Sequence, residues 1–474
     1  MACTLPVHFL PTPTRASAES RRQQGLLARA SPLPIPIPIP LPSIRGARVL
    51  TWRQDPSVGE IGIRKAYLPN RVLTGPRDAR IATQGLPAVT PNALGDLIVD
   101  PVNVDAFDAV HTFAVVRQTL TFFQRLRREA EGNPNAVLPW QWNSPGNSDP
   151  LAVHPHAGVT ANAFYSRTQK ALKFFYFTPP GSPPGAPQVF TCRSLDIVAH
   201  ETGHTILDGL QPSWLLFGNP PQTGGLHESF GDLAAIFLIL SQLDQVEAIV
   251  AQTKANLHAK NFLAELAEQF GNALGRPNGL RNADNDLKLS EVSTEVHAIS
   301  QVFTGGIYDV LADLFADERK PHLKDDAQVL YEAARYLGGL LLRGLIAAPA
   351  SAATYFDVVK KMMEIATLDA RPKVRQSLVK RFVFREVLPA GTTLAPDARV
   401  TPFVQDAKGA VQDRTGCCGT MQLEEYLVEG VEEEEDLVRE QRGRLMAFLG
   451  DGKGRGRGDG VVRPSPKAGA RTRR

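Results

Sequence analysis

The segment from Ser194 to Gly209 constrains this chain most, because it places the pattern H-E-x-x-H, His200-Glu201-Thr202-Gly203-His204, inside an apolar helical repeat. Residues four apart share one helix face, so His200 and His204 can present imidazole nitrogens to one metal ion. Glu201 lies beside them, where a carboxylate can act as a base toward water. Zinc takes neutral imidazole and carboxylate ligands, and a catalytic zinc keeps one position for water. The alternative is a core helix whose two histidines are merely hydrogen-bonded. Ser194 reads as the N-cap, Asp196 sits in the first turn, and Gly209 and Pro212 supply the stop.

Two histidines leave a zinc site incomplete, which directs attention to the next apolar run. Residues 226–243 read as a helix that is apolar on almost every face and therefore buried. Its polar residues, His227, Glu228, Ser229 and Asp232, all fall in the first two turns. A carboxylate on such a helix is costly unless paired or bound to a metal. Glu228 is therefore the candidate third ligand, and Asp232, one turn later, the carboxylate that receives a ligand histidine's other N–H. A buried acidic pair sharing one proton is the competing account.

The remainder sets the frame. Hydrophobic residues make up 43% of the 474 and charged residues 21%, enough for a sizeable core. The net charge of +3 is the near balance of 52 basic and 49 acidic residues, so composition favours no polyanionic partner. Four cysteines, Cys3, Cys192, Cys417 and Cys418, do not make a disulfide framework, which suits a reducing compartment. No apolar run approaches membrane-spanning length and no secretory leader is visible, so the expectation is a soluble, intracellular chain without membrane contact, with secretion as the alternative. Oligomeric state is left open.

Residues 1–47 form a Pro-rich arm that reads as disordered; alternating proline at 31–42 excludes helix and central strand. A folded region is expected over 48–400, strand-rich to about 193 and mostly helical from 194. Helices are predicted at 105–130, 259–273, 297–317, 325–346, 352–367 and 372–388, and strands around 161–165 and 172–177. The segment 401–474 carries an acidic run, Glu432 to Asp436, and a basic Arg/Gly tail, which read as solvated and disordered; nucleic-acid binding is not expected of them.

Four segments in order carry a resemblance to the thermolysin-like zinc metallopeptidases of the gluzincin type: Asn162-Ala163-Phe164, the stretch Asp196 to His204, the stretch Gly225 to Asp232, and Val296-His297-Ala-Ile-Ser300 followed by Tyr308. The similar helix order spans roughly residues 105–390. The resemblance implies an α+β fold, a strand-rich N-terminal subdomain and a helical C-terminal one with the zinc cleft between them. It implies one zinc ion held by His200, His204 and Glu228, with Asp232 behind a ligand. It implies Glu201 as general base and His297 as oxyanion donor from the opposite side of the cleft. Asn162, the backbone of Ala163 and Arg281 would hold a peptide or protein substrate.

Several positions depart from that family's pattern. Phe217 stands where a tyrosine is usual and cannot donate to an oxyanion, a loss that can raise a barrier by a few kcal/mol. His227 replaces an asparagine before the third ligand. Val292 stands where a carboxylate would orient His297, leaving Glu291 or Glu295 as substitutes. Ile239 replaces a calcium carboxylate, so Asp196 alone does not carry calcium over. The activity expected is endopeptidase hydrolysis; the alternative is a zinc-containing pseudopeptidase that binds peptides or a partner protein.

Overall fold

The computed structural model describes residues 46–56, 62–276 and 278–392. The Pro-rich arm up to residue 45 and the charged tail, with Cys3, Cys417 and Cys418, lie outside the described residues.

Alternation shapes the first strands. In β1 (Ala47–Trp52) every second side chain is buried, and β2 (Ile63–Leu68) pairs with it antiparallel. β3 (Ile81–Thr83) opens a four-stranded sheet, and α1 (Val104–Glu131) follows as a 28-residue helix. That helix ends where Gly132 turns left-handed and its N–H reaches back to Arg128 and Glu129. β4 (Leu151–His154), β5 (Ala163–Ser166) and β6 (Ala171–Phe174) complete the sheet in the order β3-β4-β6-β5. β3, β4 and β6 are parallel, whereas β5 runs antiparallel along the edge. The strand expected over 172–177 divides at Phe175: β7 (Tyr176–Phe177) leaves the sheet to pair with β8 (Val189–Phe190).

From there helices dominate, as expected for an α+β chain with a strand-rich first part and a helical second part. α2 (Leu195–Leu210) starts at Ser194, whose hydroxyl accepts from the Ile197 N–H. α3 (Pro221–Leu240) starts a turn earlier than 226, because proline is tolerated at a first helical position. Its residues from Thr223 to Leu240 are all buried, and it packs between α2 and α6 (Val296–Glu318). Burying each large apolar side chain of α3 is worth about 1.5–3 kcal/mol before chain entropy is counted. α4 (Leu243–Thr253) leaves α3 at an angle of 94°. α7 (Asp326–Ala347), α8 (Tyr355–Leu368) and α9 (Pro372–Phe384) close the helical part. Among the described residues no single helix is long and apolar enough to cross a membrane.

The helix expected over 259–273 is corrected. Only α5 (Glu268–Ala273) is helical there. The Asn261 side chain captures the N–H groups of Leu263 and Ala264, an alternative to helix that asparagine often offers. Ala267 then adopts a left-handed φ of 50°. The freed segment forms β9 (Glu265–Leu266), which pairs with β10 (Arg281–Asn282). That pairing carries Arg281 to Asp232 on α3.

Candidate metal centre

The crossing of α2 and α3 brings the predicted residues together, and two glycines set its closeness. A Cβ on Gly203 would stand 3.0 Å from the Gly231 Cα, and one on Gly231 only 2.6 Å from the His200 Nδ1. With no side chain at either position, the face of α2 bearing His200 and His204 lies directly on the face of α3 bearing Glu228 and Asp232.

The contacts are specific. Asp232 Oδ1 is 2.9 Å from His200 Nδ1, which turns His200 Nε2 toward Glu228. His200 Nε2 lies 3.4 Å from Glu228 Oε2 and His204 Nε2 lies 3.6 Å from Glu228 Oε1. His297 Nε2, from the first turn of α6, comes to 3.3 Å from the same Oε2. Ligand atoms of His200, Glu201 and His204 all lie within 4.8 Å of one another. All six side chains are buried.

This donor set fits a metal ion. His200 Nε2 and His204 Nε2 are shut off from water without a hydrogen-bond partner, which is costly for buried polar atoms unless something binds them. Burial pushes His204 down to about 3, so its ring is neutral, the ligating form. Burial would depress His200 too, but its Nδ1 bond to Asp232 and the Glu228 carboxylate close to its Nε2 outweigh that and raise it to about 10. Burial likewise opposes ionisation of Glu228, yet the surrounding His297, His204 and His200 hold its carboxyl well below the usual range. A site of one ionised carboxylate and convergent imidazoles suits zinc.

Arg281 reaches Asp232 with its guanidinium: Nε is 2.9 Å from Oδ2 and Nη2 is 2.6 Å from Oδ1. It thus stands behind the histidine–carboxylate pair, a position that 259–273 read as helix could not reveal. Asn162 Oδ1 accepts from the Ala163 N–H at 2.9 Å, and Ala163 begins the edge strand β5. Both line a pocket of about 530 Å³, partly open to solvent, together with His200, Glu201, Arg281 and the apolar Ile197, Phe270 and Leu280. Tyr165 and Arg167 tie this strand to α2 through Asp208.

The departures also find positions. Glu295 supplies the carboxylate for His297: it pairs with Nδ1, and it caps α6 by accepting from the His297 and Ala298 N–H groups. Phe217 is 65% exposed on the loop between α2 and α3. His227 is buried with its ring alongside His204, 5.7 Å between centroids, and burial keeps it neutral. Around Asp196, protein groups serve as partners: the Gln54 amide at 3.2 Å and the Ala267 N–H at 3.1 Å. Its neighbours Asp55 and Glu268 are raised by burial, Glu268 to about 9. Tyr355, to which the sequence offered no pointer, is buried with its hydroxyl against Gly225, near Glu228.

Among the described residues two other clusters have metal-binding residue types, Asp108-His156-Cys192 and His258-Asp284-Asp309. In each a guanidinium already neutralises the buried carboxylate, Arg193 on Asp108 and Arg385 on Asp309, which disfavours a second cation.

No family model matches this chain, and no curated protein matches it. Among solved structures, the precursor of protealysin, a metalloproteinase from Serratia proteamaculans, is similar with a TM-score of 0.37 and 14% identity, covering 64% of this chain and 85% of that one. At that level the chemistry rests on the residues of this chain's own centre.

Proposed function

We propose that this chain is a zinc-dependent metallopeptidase of the thermolysin-like type, acting as an endopeptidase on peptide or protein substrates. The observation that carries the reading is the convergence of His200 and His204, from one helix, on Glu228 of the next, with Glu201 in the adjoining pocket. In it, His200, His204 and Glu228 hold the ion, and Asp232 orients His200 through its Nδ1. A zinc ion bound there polarises a carbonyl and lowers the pKa of water to about 7.

The chain's own residues supply the rest. Glu201 takes the proton from water and delivers it to the leaving amine, a role open to a buried carboxylate beside the pocket. His297 stabilises the developing oxyanion. The edge strand β5 offers its backbone to an extended peptide, with Asn162 and Ala163 at its start, as added strands are usually bound. Arg281 acts from behind, holding Asp232. No calcium is included, because Gln54 and the Ala267 amide stand at Asp196.

The test is removal and return of the metal. Purified protein treated with a zinc chelator should lose cleavage of a broad peptide library and regain it with one equivalent of zinc. Cleavage that persists without metal defeats the proposal. The exposed Phe217, which has no hydroxyl to donate, favours the second reading, a zinc-binding pseudopeptidase; stoichiometric zinc with no cleavage of any peptide would select it.

A further inference from the structure

We infer that Asp55 and Asp196 latch the apolar wall of the pocket, and that a proton held on Glu268 between them closes the latch, so that the grip on substrate loosens as the solution becomes alkaline. The pocket's use by a peptide rests on the peptidase reading above; the latch itself does not.

The wall is one short segment. Leu266, Ala267 and Phe270, from the end of β9 to the first turn of α5, line the pocket together with Ile197 of α2. Phe270 packs edge-on against Phe177 at 5.5 Å, in a small apolar cluster separate from the main core. Ala267, where the segment turns, has a left-handed φ of 50°, which an alanine adopts only when its surroundings hold it there. Its N–H donates to Asp196 Oδ2 at 3.1 Å, and the Gln269 N–H donates to Asp55 Oδ2 at 2.9 Å. Two carboxyl groups, one from α2 and one from the chain after β1, thus hold the backbone on either side of Glu268.

The charges of this latch are unbalanced. Asp55, Asp196 and Glu268 are 0, 2 and 7% exposed. The donors to the two aspartates are neutral: the backbone amides just named, and the Gln54 side chain at 3.2 Å from Asp196. The charged groups facing Glu268 are Asp196 of α2, Asp55, and Glu265 of β9, every one an acid. Glu265 has Lys260 at 3.2 Å, a lysine that stands out in solvent, and Asp232 of α3, which also faces Asp196, is met by Arg281. Carboxyl groups gathered out of water cannot all ionise. Burial, and then these acids, raise Glu268 to about 9. Asp55 Oδ1, buried without a hydrogen-bond partner, is an acceptor open to a protonated neighbour.

The sign follows. The closed wall holds a proton that a solvated Glu268, with its ordinary value of 4.5, gives up. Closure is therefore favoured at low pH and weakens toward about pH 9, by up to about tenfold per pH unit for one proton.

The test is hydrogen exchange at the Ala267 and Gln269 amides of the full zinc-loaded chain from about pH 6 to about pH 9, corrected for the intrinsic rate at each pH. Wild-type protection should fall several-fold per pH unit, with about tenfold as the limit, while zinc stays at one per chain. In Glu268→Gln, which has no proton to lose there, the fall should be under about twofold across the range. Peptide cleavage should show the same split, KM climbing with pH in the wild type and not in the variant while kcat moves alike in both. Wild-type protection that ignores pH overturns the inference, and that result needs no variant to fold. An equal fall in both proteins overturns the role of Glu268. Calcium that restores protection at the alkaline end would make a cation the closing group and overturns the proton latch. A chain that cleaves no peptide overturns the peptidase reading instead, and the exchange result still decides the latch.

Discussion

Gly231→Ala offers a sharp probe of how the centre is assembled. The added Cβ would stand 2.6, 2.7 and 2.8 Å from Nδ1, Cε1 and Cγ of His200, separations that real Cβ atoms do not show. Either the His200 ring moves by several tenths of an ångström or α3 retreats from α2. Both lengthen the Asp232 to His200 bond, now 2.9 Å. Overpacking costs about 1–3 kcal/mol, and alanine in place of glycine within a helix returns about 1 kcal/mol. The metal-free protein should therefore lose only about 0–2 kcal/mol in urea denaturation. Metal binding should suffer more, because the ligand and its orienting carboxylate are disturbed together. A loss of about 10–100-fold in zinc affinity is expected, measured by competition with a chromophoric chelator. Gly339→Ala on α7 is the matched control: its nearest neighbour is Leu126 Cδ2 at 3.8 Å, so it should gain stability and bind zinc normally. Wild-type zinc affinity in Gly231→Ala would refute this account of the helix crossing.

Asp232→Ala should cost about 3–5 kcal/mol, because it removes the carboxylate paired with the buried Arg281 guanidinium. Adding Arg281→Leu should recover much of that stability in urea denaturation without restoring zinc affinity; recovery of both would separate Asp232 from the metal. Glu268 gives a pH dependence. Its folded value of about 9 lies above an unfolded value near 4.5, so the native state holds a proton that the unfolded chain releases. Its contribution is complete below about pH 4.5 and is lost as pH rises toward 9. Glu268→Gln should flatten the fall in Tm across that window, most visibly at the alkaline end; an unchanged slope would remove Glu268 as its source.

Much of the centre was legible because it is local and periodic. The i, i+4 spacing put His200 and His204 on one face of α2, and carboxylates on the otherwise apolar α3 marked Glu228 and Asp232. Glu291 and Glu295 were both open as substitute partners for His297, and it is Glu295, the N-cap of α6, that stands beside the ring. Tertiary contacts were less legible. Nothing in the pattern of 259–273 reveals that Asn261 and the left-handed Ala267 divert it into a β pairing that delivers Arg281 to Asp232. Gln54 and Asp55 reach the surroundings of Asp196 and Glu268 from far earlier in the chain, and Tyr355 reaches Gly225 from far later. The approach of His297 to Glu228 likewise depends on how α6 packs against α3, not on any residue spacing.

Wild type and Glu201→Gln, each verified at one zinc per chain, should be compared for cleavage of an unmodified peptide library. The variant keeps side-chain size and leaves His200, His204 and Glu228 intact. The account predicts equal zinc content and a rate lower by about 10²–10⁴-fold in Glu201→Gln. Equal cleavage by both proteins would contradict the assignment of Glu201 as the base, and absence of cleavage by zinc-loaded wild type would contradict peptide hydrolysis itself.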